Sequence, residues 1–167
     1  MRAWFLAGLL ASSSALAGTP DKGHTTRLAV VDNFVWEGTP FLNKVKTEKK
    51  LRALGTVTKE SIEDVPNPYE NGTIRYTTLI FVEGLEVRFR KVTPTDDPDL
   101  VQVAVTSAKW PIKNGLRVGV PVSKVFKALG SSNDRAQLLQ YNGESERVEF
   151  TVSHGHVTRI EFDYYAE

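Results

Sequence analysis

Apolar and polar residues alternate with period two along much of the chain beyond residue 70. Leu85, Val87 and Phe89 alternate with Glu86, Arg88 and Arg90, and Val101, Val103 and Val105 with Gln102, Ala104 and Thr106. Further on, Val148, Phe150 and Val152 alternate with Arg147, Glu149 and Thr151. Ile160, Phe162 and Tyr164 do so with Arg159, Glu161 and Asp163. Such alternation places one face of a strand in a core and the other in water. The pattern predicts strands over 73–82, 85–92 and 101–108, then over 136–141, 147–153 and 157–165. Glu83-Gly84, Asn142-Gly143 and His154-Gly155 supply the turns between neighbouring strands, and Pro94 to Pro98 reads as a wider acidic loop.

Before each set of strands the period changes. Gly38-Thr39-Pro40-Phe41-Leu42-Asn43-Lys44-Val45 resembles Gly119-Val120-Pro121-Val122-Ser123-Lys124-Val125-Phe126. The two stretches run on to Leu54-Gly55 and Leu129-Gly130. Proline in the first turn and glycine just past the end are helix punctuation. Val122, Val125, Phe126 and Leu129 fall at i, i+3, i+4 and i+7, one apolar face. The first copy is longer and its middle, Lys46 to Lys50, is polar, so it reads as one helix or two short ones. The expected fold class is therefore α+β, as two tandem repeats. Each is a helix (or two short helices) followed by a three-stranded antiparallel meander, and the halves share one continuous sheet or form two. The first repeat spans 38–109 and the second 110–167, with Trp110-Pro111 at the boundary. Residues 18–37 form an N-terminal extension in which Arg27 to Val31 could add a strand. Trp36 and Trp110 are expected to fill the core.

Residues 1–17 have the three parts of a secretory signal peptide: Arg2, the uncharged run Ala3 to Ala11, and Ala15-Leu16-Ala17 before Gly18. The bland alternative is a buried N-terminal helix or an uncleaved anchor. The run of nine is too short to span a bilayer, which takes about 20 residues. Cleavage between Ala17 and Gly18 would leave a periplasmic or secreted chain. Arg2 is the only charge in the segment, so 21 basic residues become 20, against 20 acidic ones. That balance gives no footprint for nucleic acid or an anionic membrane surface. Cysteine is absent, so there is neither a lipobox for a membrane anchor nor a disulfide framework. The absence of disulfides suits the bacterial periplasm. Asn71-Gly72-Thr73 reads as a turn before a strand, although it also matches the N-glycosylation pattern.

The stretch Leu116-Arg117-Val118-Gly119-Val120-Pro121-Val122-Ser123-Lys124-Val125-Phe126-Lys127-Ala128-Leu129-Gly130 resembles the opening of the SmpA/OmlA (BamE-like) small periplasmic domain. Val148-Glu149-Phe150 through Gly155-His156-Val157-Thr158-Arg159-Ile160 resembles its closing hairpin. A tandem of such units is similar in architecture to beta-lactamase inhibitory protein, whose two helix-plus-sheet halves form a concave sheet that grips a partner protein. The resemblance covers about residues 36 to 165. It implies helix-plus-meander units that work outside the cytoplasm by binding proteins or by supporting outer-membrane assembly. The lipobox cysteine of the first family and the disulfides of the second are both missing here.

Catalytic chemistry finds little to stand on. The histidines are His24, His154 and His156, and two ligands in one turn do not make a metal site. Nucleophile-elbow, phosphate-loop and dinucleotide fingerprints are absent. Glu146, Glu149, Glu161 and Asp163 fall on predicted wet faces beside Arg147 and Arg159, a setting for surface ion pairs. The chain is expected not to be an enzyme and to take no cofactor or metal. A hydrolase or metalloprotein is the least favoured reading. The better candidate is a wet sheet face carrying Arg75, Thr77 and Leu79, then Arg88 and Arg90, then Arg147, Arg159 and Tyr165. Tyr69 adds to it from the loop 65–72. Arginine and tyrosine are common anchors of protein interfaces. The expected function is a soluble exported protein-binding or inhibitor-like module with a protein partner of unknown identity. The alternative is a structural factor in cell-envelope maintenance or outer-membrane assembly.

Overall fold

The computed structural model describes residues 22–93, 97–131 and 137–164, with side chains from Arg27 onward. The signal segment with Ala15, Ala17 and Gly18 lies outside these residues, as do Tyr165 and the side chain of His24. Helix α1 (Lys22–Gly38) opens the described chain, and the short helix α2 (Glu48–Arg52) follows. Four strands come next: β1 (Val57–Pro66), β2 (Thr73–Phe81), β3 (Leu85–Lys91) and β4 (Asp99–Val105). A 3-10 turn (Lys113–Gly115) leads to helix α3 (Val122–Leu129), then to β5 (Leu138–Asn142), β6 (Arg147–Ser153) and β7 (His156–Asp163). All seven strands form one antiparallel sheet in the order β1-β2-β3-β4-β7-β6-β5. The halves therefore share a sheet. Its seam is the pairing of β4 with β7, from Gln102 opposite Asp163 to Val105 opposite Ile160.

The first half departs from the expected meander by one strand, because β1 precedes the other three. Seven successive residues of β1, 58 to 64, are exposed. An edge strand with water on both faces carries no apolar alternation to read. The expected first helix also shrinks to α2, capped by Thr47, whose hydroxyl accepts from the Lys50 amide. Residues 39–45 form turns instead, with Leu42 N–H bonded to Thr39 C=O and Val45 N–H to Leu42 C=O. The polar stretch Lys46 to Lys50 offers no apolar face to hold a longer helix on the sheet.

Arg27 to Val31, read as a possible strand, is helical. Val31, Phe34 and Val35 stand at i, i+3 and i+4 and are buried, and this helical stripe outweighs the local β-propensity of the valines. Phe34 lies 6.0 Å from the ring of Phe162 and 6.4 Å from that of Phe150. The helix ends where the chain must come close to the sheet: a Cβ on Gly38 would stand 2.5 Å from Phe162 Cε1. Through Val31, Phe34 and Val35, α1 is thus part of the core of the second half.

The helices lie on one face of the sheet, where Leu51, Val125 and Leu129 join Leu79, Phe89, Phe150 and Phe162 in a single buried cluster. Trp110 is buried as expected, packs on Phe41 and donates from Nε1 to the Glu83 carbonyl at 2.9 Å. Trp36 is not in the core. It is half exposed, because it sits on the flank of α1 away from the Val31–Phe34–Val35 stripe. Phe126, expected on the buried stripe of α3, is partly exposed, since the short helix buries only Val125 and Leu129 fully.

Candidate functional site

Among the described residues, the other face of the sheet carries no helix. Register alone assembles a row of residues across all seven strands: Ser61, Thr78, Arg88, Gln102, Asp163, Arg147 and Asn142. The next row holds Lys59, Ile80, Glu86, Ala104, Glu161, Glu149 and Gln140. On the other side of the first row, Glu63, Tyr76, Arg90 and Asp99 stand opposite one another. Three glutamates thus run beside rows that carry arginines.

These arginines are tied to carboxylates of the same face. Arg88 donates to Glu63 at 3.0 Å while its guanidinium lies 4.9 Å from the centre of the Tyr76 ring. Arg90 stands 3.7 Å from Asp99. Arg147 donates through Nε to Asp163 at 2.9 Å, and Arg159 to Glu161 at 2.9 Å. Gln102 bridges the seam by donating to Glu161 at 2.8 Å and to Asp163 at 3.0 Å. Glu149 and Glu161 face each other across β6 and β7, and Arg147 and Arg159 offset their repulsion. The hydrogen bond to Asp163 raises the Arg147 pKa above its ordinary value against the opposing effect of burial. The face is pre-ordered and close to charge-balanced, which suits planar, hydrogen-bonded recognition better than long-range attraction.

The sequence placed Arg88, Arg90, Arg147 and Arg159 on this face, and the register brings them there. Arg75, Thr77 and Leu79 were placed wrongly. Thr77 and Leu79 are buried on the helix-bearing face. Arg75 shares their parity and lies beside α2 on that same side. Strand β2 has apolar residues on both parities (Ile74, Tyr76 and Ile80 against Leu79 and Phe81), so its alternation could be read either way. Arg75 grips Asp64 of β1 through two bonds of 2.8 Å, which lowers the Asp64 pKa. It lines a cavity of about 300 Å³ together with Arg52, Lys91, Glu48 and Glu60. Arg52 bonds both Glu48 and Glu60, and its hydrogen bond lowers the Glu60 pKa. Tyr69 is 87% exposed at the tip of the loop after β1, where Asn67 accepts its amide at 3.0 Å.

Sequence reasoning missed Tyr76, Gln102 and Glu63, whose roles appear only once the register is known. It also missed the attachment of α1 to the β5–β6 turn. Trp36 Nε1 donates to Glu146 at 3.1 Å, and Asp32 accepts the Glu144 amide at 3.0 Å. A Cβ on Gly143 would fall 1.7 Å from Asp32 Oδ1, so glycine permits the approach. Burial raises the Glu146 pKa, and the neighbouring Asp32 carboxyl raises it further by hydrogen bonding and charge. A carboxyl whose pKa is raised by folding stabilises the fold below its unfolded pKa and loses that contribution as pH rises through the folded one. As pH rises above the ordinary glutamate value of about 4.3, the Glu146→Gln variant should therefore gain stability relative to wild type. Urea midpoints of the two proteins measure this. A difference that stays constant with pH would show that folding does not raise the Glu146 pKa.

Another cavity, of about 480 Å³, lies between Trp36, Leu42, Asn43 and the segment 97–100, with Tyr164 at its wall. The Tyr164 hydroxyl pairs with that of Thr39 at 2.9 Å, and burial pushes its pKa up to about 12. His154 and His156 stand in the β6–β7 turn, where His156 Nδ1 lies 3.0 Å from the His154 carbonyl. Among the described residues, no group of three His, Cys, Asp or Glu is placed to hold a metal ion. No described helix is long and apolar enough to cross a membrane. No protein-family model, no curated protein and no solved structure matches the chain.

Proposed function

We propose that the chain is an exported module that binds a protein partner through the helix-free face of its sheet. The observation that carries this reading is the seven-strand row from Ser61 to Asn142, with Arg88 stacked on Tyr76 and Arg147 locked on Asp163. Side chains held in this way lose little rotamer freedom when a partner arrives. The partner is a protein surface with hydrogen-bonding groups of both signs, matching rows of arginine and glutamate. Tyr69, at the loop tip beside β1, extends the contact. The two halves are a diverged tandem repeat, supported by the matching Leu54-Gly55 and Leu129-Gly130 helix ends and by both helices lying on one side of the sheet. A role in outer-membrane assembly is the second reading, favoured by the sequence pattern around Leu116 to Gly130.

Capture from periplasmic extract by wild type and by the Arg88→Glu/Arg90→Glu variant tests the face. The variant should hold its partner at least about tenfold more weakly, as expected when central arginines of an interface are reversed. Wild-type capture should change little on raising salt past about 0.15 M, because a balanced face has little net attraction to screen. Equal capture by both proteins would remove the helix-free face as the interface. Selective capture of outer-membrane assembly components would favour the second reading.

A further inference from the structure

The two edges of the sheet differ. β5 has five residues, whereas β1 has ten, bonded on one side only, to β2. Residues 58 to 64 of β1 are all exposed, so none of the described residues covers that edge. We infer that β1 is the pairing edge of a symmetric dimer, in which it lies antiparallel to β1 of a second copy of this chain with Ser61 on the two-fold axis.

The backbone fixes which groups are on offer. Asn67 N–H bonds Gly72 C=O at 3.0 Å, at the head of the β1–β2 ladder. Bonded and non-bonded pairs alternate in antiparallel strands. Counting back by two, Val65, Glu63, Ser61 and Lys59 bond to β2, and Glu60, Ile62 and Asp64 turn their N–H and C=O groups outward. A second strand must set even-numbered residues opposite even-numbered ones to use them.

Charge then selects one register. With Ile62 opposite its own copy, Glu60 would face Asp64, a like pair. A shift of one pair in that direction sets Glu63 opposite Glu63, and a shift of two pairs the other way sets Glu60 opposite Glu60. Like charges directly opposite are destabilising. With Ser61 on the axis, Lys59 faces Glu63 twice, Glu60 faces Ile62 twice, and no like charges meet. This register also runs from Thr58 opposite Asp64 to its symmetric end, which is the whole of the exposed stretch. The bulge between Val57 and Lys59 and the missing N–H of Pro66 bound it on either side. Glu63 keeps 60% of its side chain exposed while bonded to Arg88, so it can accept Lys59 as well. Such an edge is closed to promiscuous pairing by its charges yet complementary to itself. The two-fold axis is normal to the sheet, so the helix-free faces of both copies join into one surface. The inference rests on the edge alone and does not depend on what that surface binds.

The chain has no cysteine, so single replacements report the register cleanly. Ser61→Cys should form a disulfide-linked dimer on mild oxidation, since directly opposed non-bonded residues have Cα atoms about 4.5 Å apart. Glu63→Cys alone should not, because its two copies would stand about 14 Å apart along the strands. A mixture of Lys59→Cys and Glu63→Cys proteins should cross-link again. In sedimentation velocity the wild-type chain should double its mass with rising concentration. Lys59→Glu should weaken that association about tenfold, and Lys59→Glu/Glu63→Lys should restore it. A wild-type chain that stays monomeric to about 1 mM would overturn the inference. So would a dimer that Glu63→Cys links as readily as Ser61→Cys.

Discussion

A chain that begins at Thr39 is expected to lose its folded state. Removing α1 takes away Val31, Phe34 and Val35, all 3% exposed or less. Each such side chain contributes about 2–5 kcal/mol when buried in a packed core. Three together reach the whole net stability of an ordinary domain, about 5–15 kcal/mol. The loss falls on the second half of the sheet, where Phe150 and Phe162 would be left without the ring of Phe34. Bonds to the β5–β6 turn go as well, including the one from the Glu144 amide to Asp32. Circular dichroism and a hydrophobic-dye titration of the truncated chain check the outcome. Cooperative melting at an unchanged midpoint would show that α1 is an accessory and not part of the core. Phe34→Ala in the intact chain is the milder form. At about 3–5 kcal/mol, it should lower the melting temperature by roughly 10 °C for a domain of this size.

The role of α1 also marks where the sequence stops being legible. Strands with one wet face and one dry face declared themselves: Leu85, Val87 and Phe89 are all buried, and so are Val148, Phe150 and Val152. Their parity placed Arg88, Arg90 and Arg147 on the helix-free side. Two kinds of segment escaped. β1 is wet on both faces, so its hydrogen bonds to β2 define it and leave no apolar trace. In α1, Val30, Val31 and Val35 favour a strand locally, and only docking on the Phe150 and Phe162 rings selects the helix. Parity failed for β2 because Tyr76 and Ile80 are apolar on the open face, which hid the burial of Leu79. The helix-free face was therefore legible residue by residue within β3, β6 and β7 but not within β2. Its rows across strands were not, since register depends on bulges such as the one between Arg88 and Phe89. Arg75 shows the consequence: it belongs to an arginine–carboxylate cluster on the other side of the sheet.

Phe162→Ala is expected to cost about 3–5 kcal/mol and to weaken binding of the proposed partner without touching the proposed binding face. Phe162 is fully buried in β7, the strand that joins the halves. It stands opposite Val103 of β4 on one side and Val148 of β6 on the other, with Phe34 stacked above it. Its sequence neighbours Glu161 and Asp163 point the opposite way and carry the Gln102, Arg147 and Arg159 bonds. A cavity under β7 therefore loosens the carboxylates that hold those arginines, so core and face are coupled through one strand. Phe162→Leu fills most of the volume and should cost less than half as much. Combined with Phe34→Ala, Phe162→Ala should cost less than the sum of the two, because they remove one shared contact. Chemical denaturation measures the stability terms, and titration with the captured partner well below the melting temperature measures binding. If Phe162→Ala lowers stability as expected but binds as wild type does at full occupancy of the native state, the face does not depend on the seam for its geometry. If binding falls for Phe162→Ala and recovers for Phe162→Leu, the packing beneath β7 sets the arrangement of the arginines above it.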